Sequence, residues 1–342
     1  MKRLLITVLV LLCLSTRVLA GETAVPKGEI AFASDREGTY KVFLMSADGS
    51  DVRLLVEDEN PIYTPLWSPD GTKLAYMVAE GDGKAPLYVW DLDEPEAVRI
   101  ADSALNPYRF LTWSLNSRMI AYANFTDGDS ANGVEYHSAA TDGSLDITIG
   151  VGEDDLALIQ YLPDRSLTVS RSSGLFGLDA DGTNELFVTD DLAYPAVLSP
   201  SFEYLVGYSY ESDNLEITDP NGRNPNVVFN RDEHHLSYII MLGWSPDEQY
   251  IWGVGRFAES AEVGAPAEDR LFIVKQDGTG FHFVNAGDTV LTWSPDSQFI
   301  AYTRQDEAGG YQIFTARPDG SDEQQITTDG NNAQPTWRAN YA

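Results

Sequence analysis

Cysteine is nearly missing from this chain: its 342 residues contain one, Cys13. Without a second thiol no internal disulfide can form, so stability must come from packing. Basic residues are scarce too, 22 Lys and Arg against 53 Asp and Glu, for a formal charge of −31 at pH 7. Such a surface repels phosphate backbones and anionic lipid faces, which excludes nucleic acid as a partner class. Histidine occurs four times, as His137, His234, His235 and His282, too dispersed to be read as a metal cluster. His234 and His235 are adjacent and would point opposite ways in an extended segment. Long apolar runs are absent as well. The longest, Leu4 to Leu14, is too short to span a bilayer as a helix.

That run follows Lys2 and Arg3 and precedes Val18-Leu19-Ala20, the layout of an export signal cleaved after Ala20. Leu12 stands before Cys13, where a lipoprotein signal would need a small residue, so lipidation is not expected. Cleavage would remove Cys13 with Lys2, Arg3 and Arg17, leaving 19 of the 22 basic residues against 53 acidic ones, a formal charge of −34. The expected location is secreted or periplasmic, with no transmembrane segment in the mature chain. An acid excess of this size also suits a salty or crowded exterior without any ligand.

The chain has instead 28 glycines, 17 prolines and a repeated phrase. "WSPDGTKLAY" (67–76) returns as "WSLNSRMIAY" (113–122), "WSPDEQYIWG" (244–253) and "WSPDSQFIAY" (293–302). Its apolar triplet is found at seven places: Ile30-Ala31-Phe32, Leu74-Ala75-Tyr76, Ile120-Ala121-Tyr122, Leu167-Thr168-Val169, Leu205-Val206-Gly207, Ile251-Trp252-Gly253 and Ile300-Ala301-Tyr302. An Asp-Gly or Asn-Gly turn follows most of them, as in "MSADGS" (45–50), "TDPNGR" (218–223) and "VKQDGT" (274–279); "DLDEPEA" (91–97) takes that place in the second unit. Short alternating strands with a period of about 46 residues predict an all-β fold, a β-propeller of four-stranded blades A to D. Ser-Pro-Asp-Gly turns strand A into B, and the later Asp-Gly turns C into D. Trp67, Trp113, Trp244, Trp293 and Trp337 end strand A as wedges between blades. Tyr161-Leu162-Pro163-Asp164 and Leu198-Ser199-Pro200-Ser201 stand in for the Trp turn in two drifted units.

The first unit starts at Ile30 without a strand A, and "AQPTWRANYA" (333–342) is a strand A with nothing behind it. The prediction is therefore seven blades in one domain over 28–342, closed by N-terminal strands pairing with a C-terminal strand. Residues 21–27 would form a short lead-in.

The segments "PLWSPDGTKLAY" and "VFLMSADGSDVRLL" resemble the WD40-like Pro-Asp repeats of the TolB-type propeller, and the resemblance extends over the mature chain. It implies the fold more firmly than a function. Similar blades occur in periplasmic scaffolds, in sugar-acid lyases and in the gating domains of dipeptidyl-peptidase-like proteins. TolB-type proteins carry an α/β domain before the propeller; the first strand expected here follows the cleavage site closely, so roles of that domain are not carried over.

Signals for an enzyme are thin. "GYSYE" (207–211) lacks the last glycine of a nucleophile elbow and falls on an expected strand. "TDGDSANGVE" (126–135) alternates Asp127 and Asp129 as a calcium loop does, but has Ala131 at the third ligand position and its glycine one residue late. An exposed turn is the plainer reading. No cofactor is expected, and calcium is the ion for which any provision can be seen.

Position in the unit is more informative. A propeller gathers D-to-A and B-to-C connections on one face, and here nearly every D-to-A connection is acidic. Candidate binding residues on them are Asp58, Glu59, Tyr63, Asp102, Tyr108, Asp154, Asp155, Asp190, Asp191, Tyr194, Asp232, Glu233, His234, Asp288 and Asp329. Tyr238 lies nearby, and the longest insertion, "RFAESAEVGAPAEDR" (256–270), is expected as a B-to-C loop of the same face. A crown of carboxylates would attract a cation or a basic peptide, and rings beside it could stack on a sugar or a cationic group. The first reading is an exported, non-enzymatic scaffold for a protein or peptide. The alternative is a carbohydrate-binding or lyase-like propeller, calcium-dependent because the negative field would otherwise repel sugar acids.

Overall fold

The computed structural model describes residues 25–339, except 81–84, 105–110, 126–132, 153–157, 165, 172, 210, 261, 263–264 and 288–289. Its strands form seven four-stranded antiparallel sheets among the described residues. Blade 1 holds β1 (Glu29–Ser34), β2 (Lys41–Ser46) and β3 (Arg53–Val56); blade 2 holds β4 (Ile62–Trp67), β5 (Lys73–Val78), β6 (Leu87–Asp91) and β7 (Val98–Ala101). Blade 3 runs from β8 (Thr112–Trp113) through β9 (Met119–Phe125) and β10 (Val134–Ala140) to β11 (Asp146–Gly152). The drifted units are blade 4, β12 (Leu158–Tyr161) to β15 (Leu186–Thr189), and blade 5, β16 (Ala193–Leu198) to β19 (Asn226–Asn230). Blade 6 consists of β20 (Leu236–Trp244), β21 (Tyr250–Ala258), β22 (Ala267–Lys275) and β23 (His282–Phe283); blade 7 runs from β24 (Leu291–Trp293) and β25 (Ile300–Gln305) to β27 (Gln324–Gln325).

The last strand, β28 (Asn332–Trp337), pairs with β1, joining Ile30 to Trp337 and Ser34 to Asn332. Blade 1 is thus sewn from both ends of the chain. Arg338 donates to Glu29 at 2.6 Å, the Trp337 indole to the Lys27 carbonyl at 2.8 Å, and Asn331 to Asp35 at 2.6 and 2.9 Å. Burial opposes the charge on Glu29, but hydrogen bonds from Arg53 and Arg338 outweigh it and hold the carboxyl below its ordinary value.

Among the described residues the interior is divided into seven separate hydrophobic clusters, each shared by two neighbouring blades. Each contains one residue from the end of a strand A: Trp67, Trp113, Tyr161, Leu198, Trp244, Trp293 or Trp337. All seven are buried. The wedge reading of the tryptophans therefore holds, and each interface acts as its own small core.

The A-to-B turn is built the same way in several blades. Ser68 donates to Asp70 at 2.7 Å, Asp70 accepts the Thr72 N–H at 3.0 Å, and Ser68 Oγ accepts the Lys73 N–H at 2.9 Å. Ser245 with Asp247 and Ser294 with Asp296 repeat the pattern. The fourth turn position needs a positive φ, and glycine supplies it at Gly71 (69°). Elsewhere Ser117, Phe202, Glu248 and Ser297 hold it at 56 to 64°. Three of these side chains reach back to the preceding blade, where Ser117 accepts the Asp70 N–H, Glu248 the Ser201 N–H and Ser297 the Asp247 N–H.

One expectation needs correcting. Segment 256–270 is not all loop, because Arg256–Ala258 end β21 and Ala267–Arg270 begin β22. Arg256 and Asp269 are cross-strand partners, 3.0 Å apart as an ion pair. That cross-strand pair lies within the lengthened part of the hairpin and favours its pairing.

Candidate functional site

In an antiparallel meander the A-to-B and C-to-D turns emerge on one face, and the D-to-A and B-to-C connections on the other. On the connection face, Asp58, Glu59, Asp102, Asp190, Asp191, Asp232, Glu233 and Asp329 are exposed. Several are tied locally: Asp58 accepts the Asn60 N–H at 2.8 Å, Asp102 pairs with Arg99 at 3.1 Å, and Asp191 binds the Thr189 hydroxyl at 3.1 Å. His234 is half-buried and stacks on Phe281 with ring centroids 3.8 Å apart; burial lowers its pKa. Tyr108, Asp154, Asp155 and Asp288 lie outside the described residues, as do Asp127, Asp129 and Ala131 of the acidic loop. Tyr194 falls in β16, and nothing is described of its side chain.

Tyr63 is grouped with a residue that the sequence reading passed over. Its ring centroid lies 5.3 Å from that of Tyr40, which ends the B-to-C connection of blade 1. Burial raises the Tyr40 pKa, with Asp35, Tyr63 and Tyr311 adding to the shift. Tyr311 follows the B-to-C turn of blade 7 and is 40% exposed. The signal was present: "GTY" (38–40) and "GGY" (309–311) close the same loop in adjacent blades. Tyr238 is half exposed on the connection side of β20.

The opposite face carries an apolar collar. Trp67, Trp113, Trp244, Trp293 and Trp337, with Pro69, Pro200, Pro246 and Pro295, line a depression of about 600 Å³ where the A strands end. Ser209, the serine of the incomplete elbow, is buried in the strand Leu205–Ser209, so it lacks the exposed strand-to-helix turn of a hydrolase nucleophile. Among the described residues no three His, Cys, Asp or Glu side chains are grouped as a metal site. No helix among them is long and apolar enough to cross a membrane.

The fold therefore defines a seven-bladed propeller. No protein-family model matches the chain. Over 74 residues it is 40% identical to the Tol-Pal system protein TolB of Methylobacillus flagellatus, 22% of this chain and 17% of that protein. The chain thus matches well under two thirds of that relative's length. TolB from Acinetobacter baumannii superposes with a TM-score of 0.59 at 15% identity, covering 93% of this chain and 68% of that one. An oligogalacturonate lyase in complex with manganese gives the same TM-score at 14% identity, covering 85% and 86%. The resemblance to the TolB-type propeller is present in both sequence and fold.

Proposed function

We propose that the mature protein is an exported, non-enzymatic scaffold that binds a protein or peptide bearing basic side chains on its connection face. The observation that carries this reading is the pairing of Tyr40 with Tyr63, directly after the connection that bears exposed Asp58 and Glu59. Carboxylates draw in an ammonium or guanidinium group, and tyrosine faces hold it by cation–π attraction. Partial similarity to proteins of the Tol-Pal system supports a place among envelope interaction proteins. The export signal ending at Ala20 agrees with it. Likeness to a lyase supports the shared fold alone, and a negative mouth opposes an anionic sugar substrate.

The test uses a lysine-rich peptide titrated calorimetrically at low and moderate salt. Replacing Asp58, Asp190, Asp232 and Asp329 together by Asn should weaken binding by about tenfold or more, the loss expected from several exposed charge pairs acting together. Tyr63→Ala should weaken it at both salt concentrations. Affinity unchanged in both variants would remove the connection face from the account.

A further inference from the structure

We propose that the bare outer edge of β22 in blade 6 takes up an extended segment of a basic partner polypeptide as an added strand. This names how a partner of the kind proposed above would dock, and rests on that reading for the partner's charge alone. In the other six blades strand D runs along strand C almost to its start. Strand D pairs with Val42, Leu87, Val134, Leu175 and Asn214, each the first or second residue of its strand C. In blade 7 the Ile326 N–H reaches the Ile313 carbonyl, and the Asn331 side chain accepts the N–H of Tyr311, where strand C begins. Blade 6 differs. Its β23 pairs only with Phe272 and Ile273 of β22, and the Val284 N–H adds one bond to the Leu271 carbonyl at 2.9 Å. Ala267 to Arg270 continue beyond, paired with β21 on one side and, among the described residues, with no strand on the other. Four such residues expose about 13 Å of edge.

Backbone alternation fixes which groups face outwards. The Leu271 carbonyl points to the strand-D side, whereas the Pro266 carbonyl points to β21 and accepts the Glu259 N–H at 2.9 Å. Each residue of an antiparallel strand turns its N–H and C=O to the same neighbour, and successive residues alternate, so Ala267 and Asp269 present theirs to the empty side. None of the described residues bonds to those groups. Beside them lies a groove of about 410 Å³, walled by Glu268 to Leu271 and by Phe283 to Gly287. The connection swings away here, with the Gly287 N–H donating to the Thr303 carbonyl of blade 7 at 2.7 Å, and the place strand D takes in the other blades is left open. Two donors and two acceptors at a two-residue spacing match the alternate groups of an added antiparallel strand.

Side chains choose the partner. Asp269 is paired with Arg256 at 3.0 Å, and the Arg270 guanidinium lies 3.5 Å from the centroid of the Phe283 ring. The Glu268 side chain is 74% exposed, and its contact with Arg270, at 3.4 Å, is longer than the Arg256 pair. A second copy docking through the same edge about a two-fold axis would set Glu268 opposite Glu268, or Asp269 opposite Asp269, and like charges there oppose pairing. A lysine or arginine opposite Glu268 is attracted instead.

The test uses the whole mature protein and a capped hexapeptide of alternating valine and lysine, beside the same hexapeptide N-methylated at every residue. Methylation keeps the side chains and charge but removes every backbone donor, and should weaken calorimetric binding by about tenfold or more, the loss of one or two hydrogen bonds. In amide hydrogen exchange read by NMR, Ala267 and Asp269 should exchange fast in the free protein and slow by about tenfold or more at saturating peptide, the protection that new backbone bonds confer. Asp269→Pro removes an outward N–H and leaves the ladder to β21 intact, so affinity should fall while the protein stays folded. Asp269→Asn, which loses the same charge but keeps that N–H, should retain binding. Glu268→Gln should weaken it by about twofold or more, as losing one exposed cross-strand charge pair does. Equal affinity for the two peptides, unchanged exchange at Ala267 and Asp269, or parent-like binding in Asp269→Pro would overturn strand addition, and parent-like binding in Glu268→Gln would overturn the partner's charge. Replacing Asp58, Asp190, Asp232 and Asp329 tests the connection-face reading, whereas the contrast between the peptides tests β22, so either can fail alone.

Discussion

Ser117, Glu248 and Ser297 each hold a backbone conformation that L side chains adopt at a cost, and each gives its side chain a partner in the preceding blade. The cost of positive φ, about 1 kcal/mol, is comparable to the worth of one hydrogen bond. Replacing Ser297 separates the two contributions. Ser297→Ala keeps the strain and loses the bond to the Asp247 N–H, so urea unfolding should show a loss of about 1–2 kcal/mol. Ser297→Gly loses the bond but relieves the strain, and should fall within about 0.5 kcal/mol of the parent. Glu29 gives a pH prediction. Its folded pKa lies below the ordinary value of 4.5, so its stabilising contribution is complete above that value and disappears as pH falls through the lowered one. Glu29→Gln should be less stable than the parent at pH 7, and the difference should vanish on acidification. A constant difference across that window would contradict the role given to Arg53 and Arg338. The sequence assigned glycine to the fourth turn position, which is correct for Gly71 alone of these turns. Nothing in the sequence of a single blade reveals that Ser or Glu there has a partner in the blade before it.

At the scale of elements, the strand-A ends differ in what their polar atoms do. The Trp337 indole donates to the Lys27 carbonyl, whereas the buried Trp113 indole has no hydrogen-bond partner among the described residues. Trp337→Phe should therefore cost about 1 kcal/mol more than Trp113→Phe in chemical denaturation, and equal costs would show that the clasp at Lys27 contributes nothing. The blades themselves were legible because turn chemistry and apolar alternation repeat together. Even Tyr161 and Leu198 could be aligned through their neighbours. The lengthened hairpin of blade 6 was not legible, since Arg256, Glu268, Asp269 and Arg270 look like loop until the register pairs Arg256 with Asp269. The Tyr40–Tyr63 pairing was hidden for a similar reason: it joins two blades, and one blade's sequence does not carry the spacing between them. His234 looked like part of an acidic crown in sequence, while its ring in the structure lies against Phe281 and Phe229.

The whole molecule is a ring of seven small cores inside a strongly negative surface, with a formal charge of −31 over the full chain. Self-repulsion on that scale opposes compactness and is screened within about 10 Å at 0.1 M salt. Raising sodium chloride from about 0.02 M toward 0.5 M, across that screening range, should raise the melting temperature. A fall would mean that ion pairs such as Arg338 with Glu29 outweigh the repulsion. Charge over the whole surface does not choose a face, and the central claim is that a basic partner meets the connection face and not the turn face. Zero-length carbodiimide coupling of a lysine-rich peptide to the folded protein, with the joined carboxylates located by mass spectrometry, tests this most directly. Linkage should concentrate at Asp58, Glu59, Asp190, Asp191, Asp232 and Asp329 of the connection face. Equal coupling at the turn-face carboxylates Asp70, Asp247, Asp296 and Asp319 would contradict it, and would reduce the acidic crown to ordinary solvated surface.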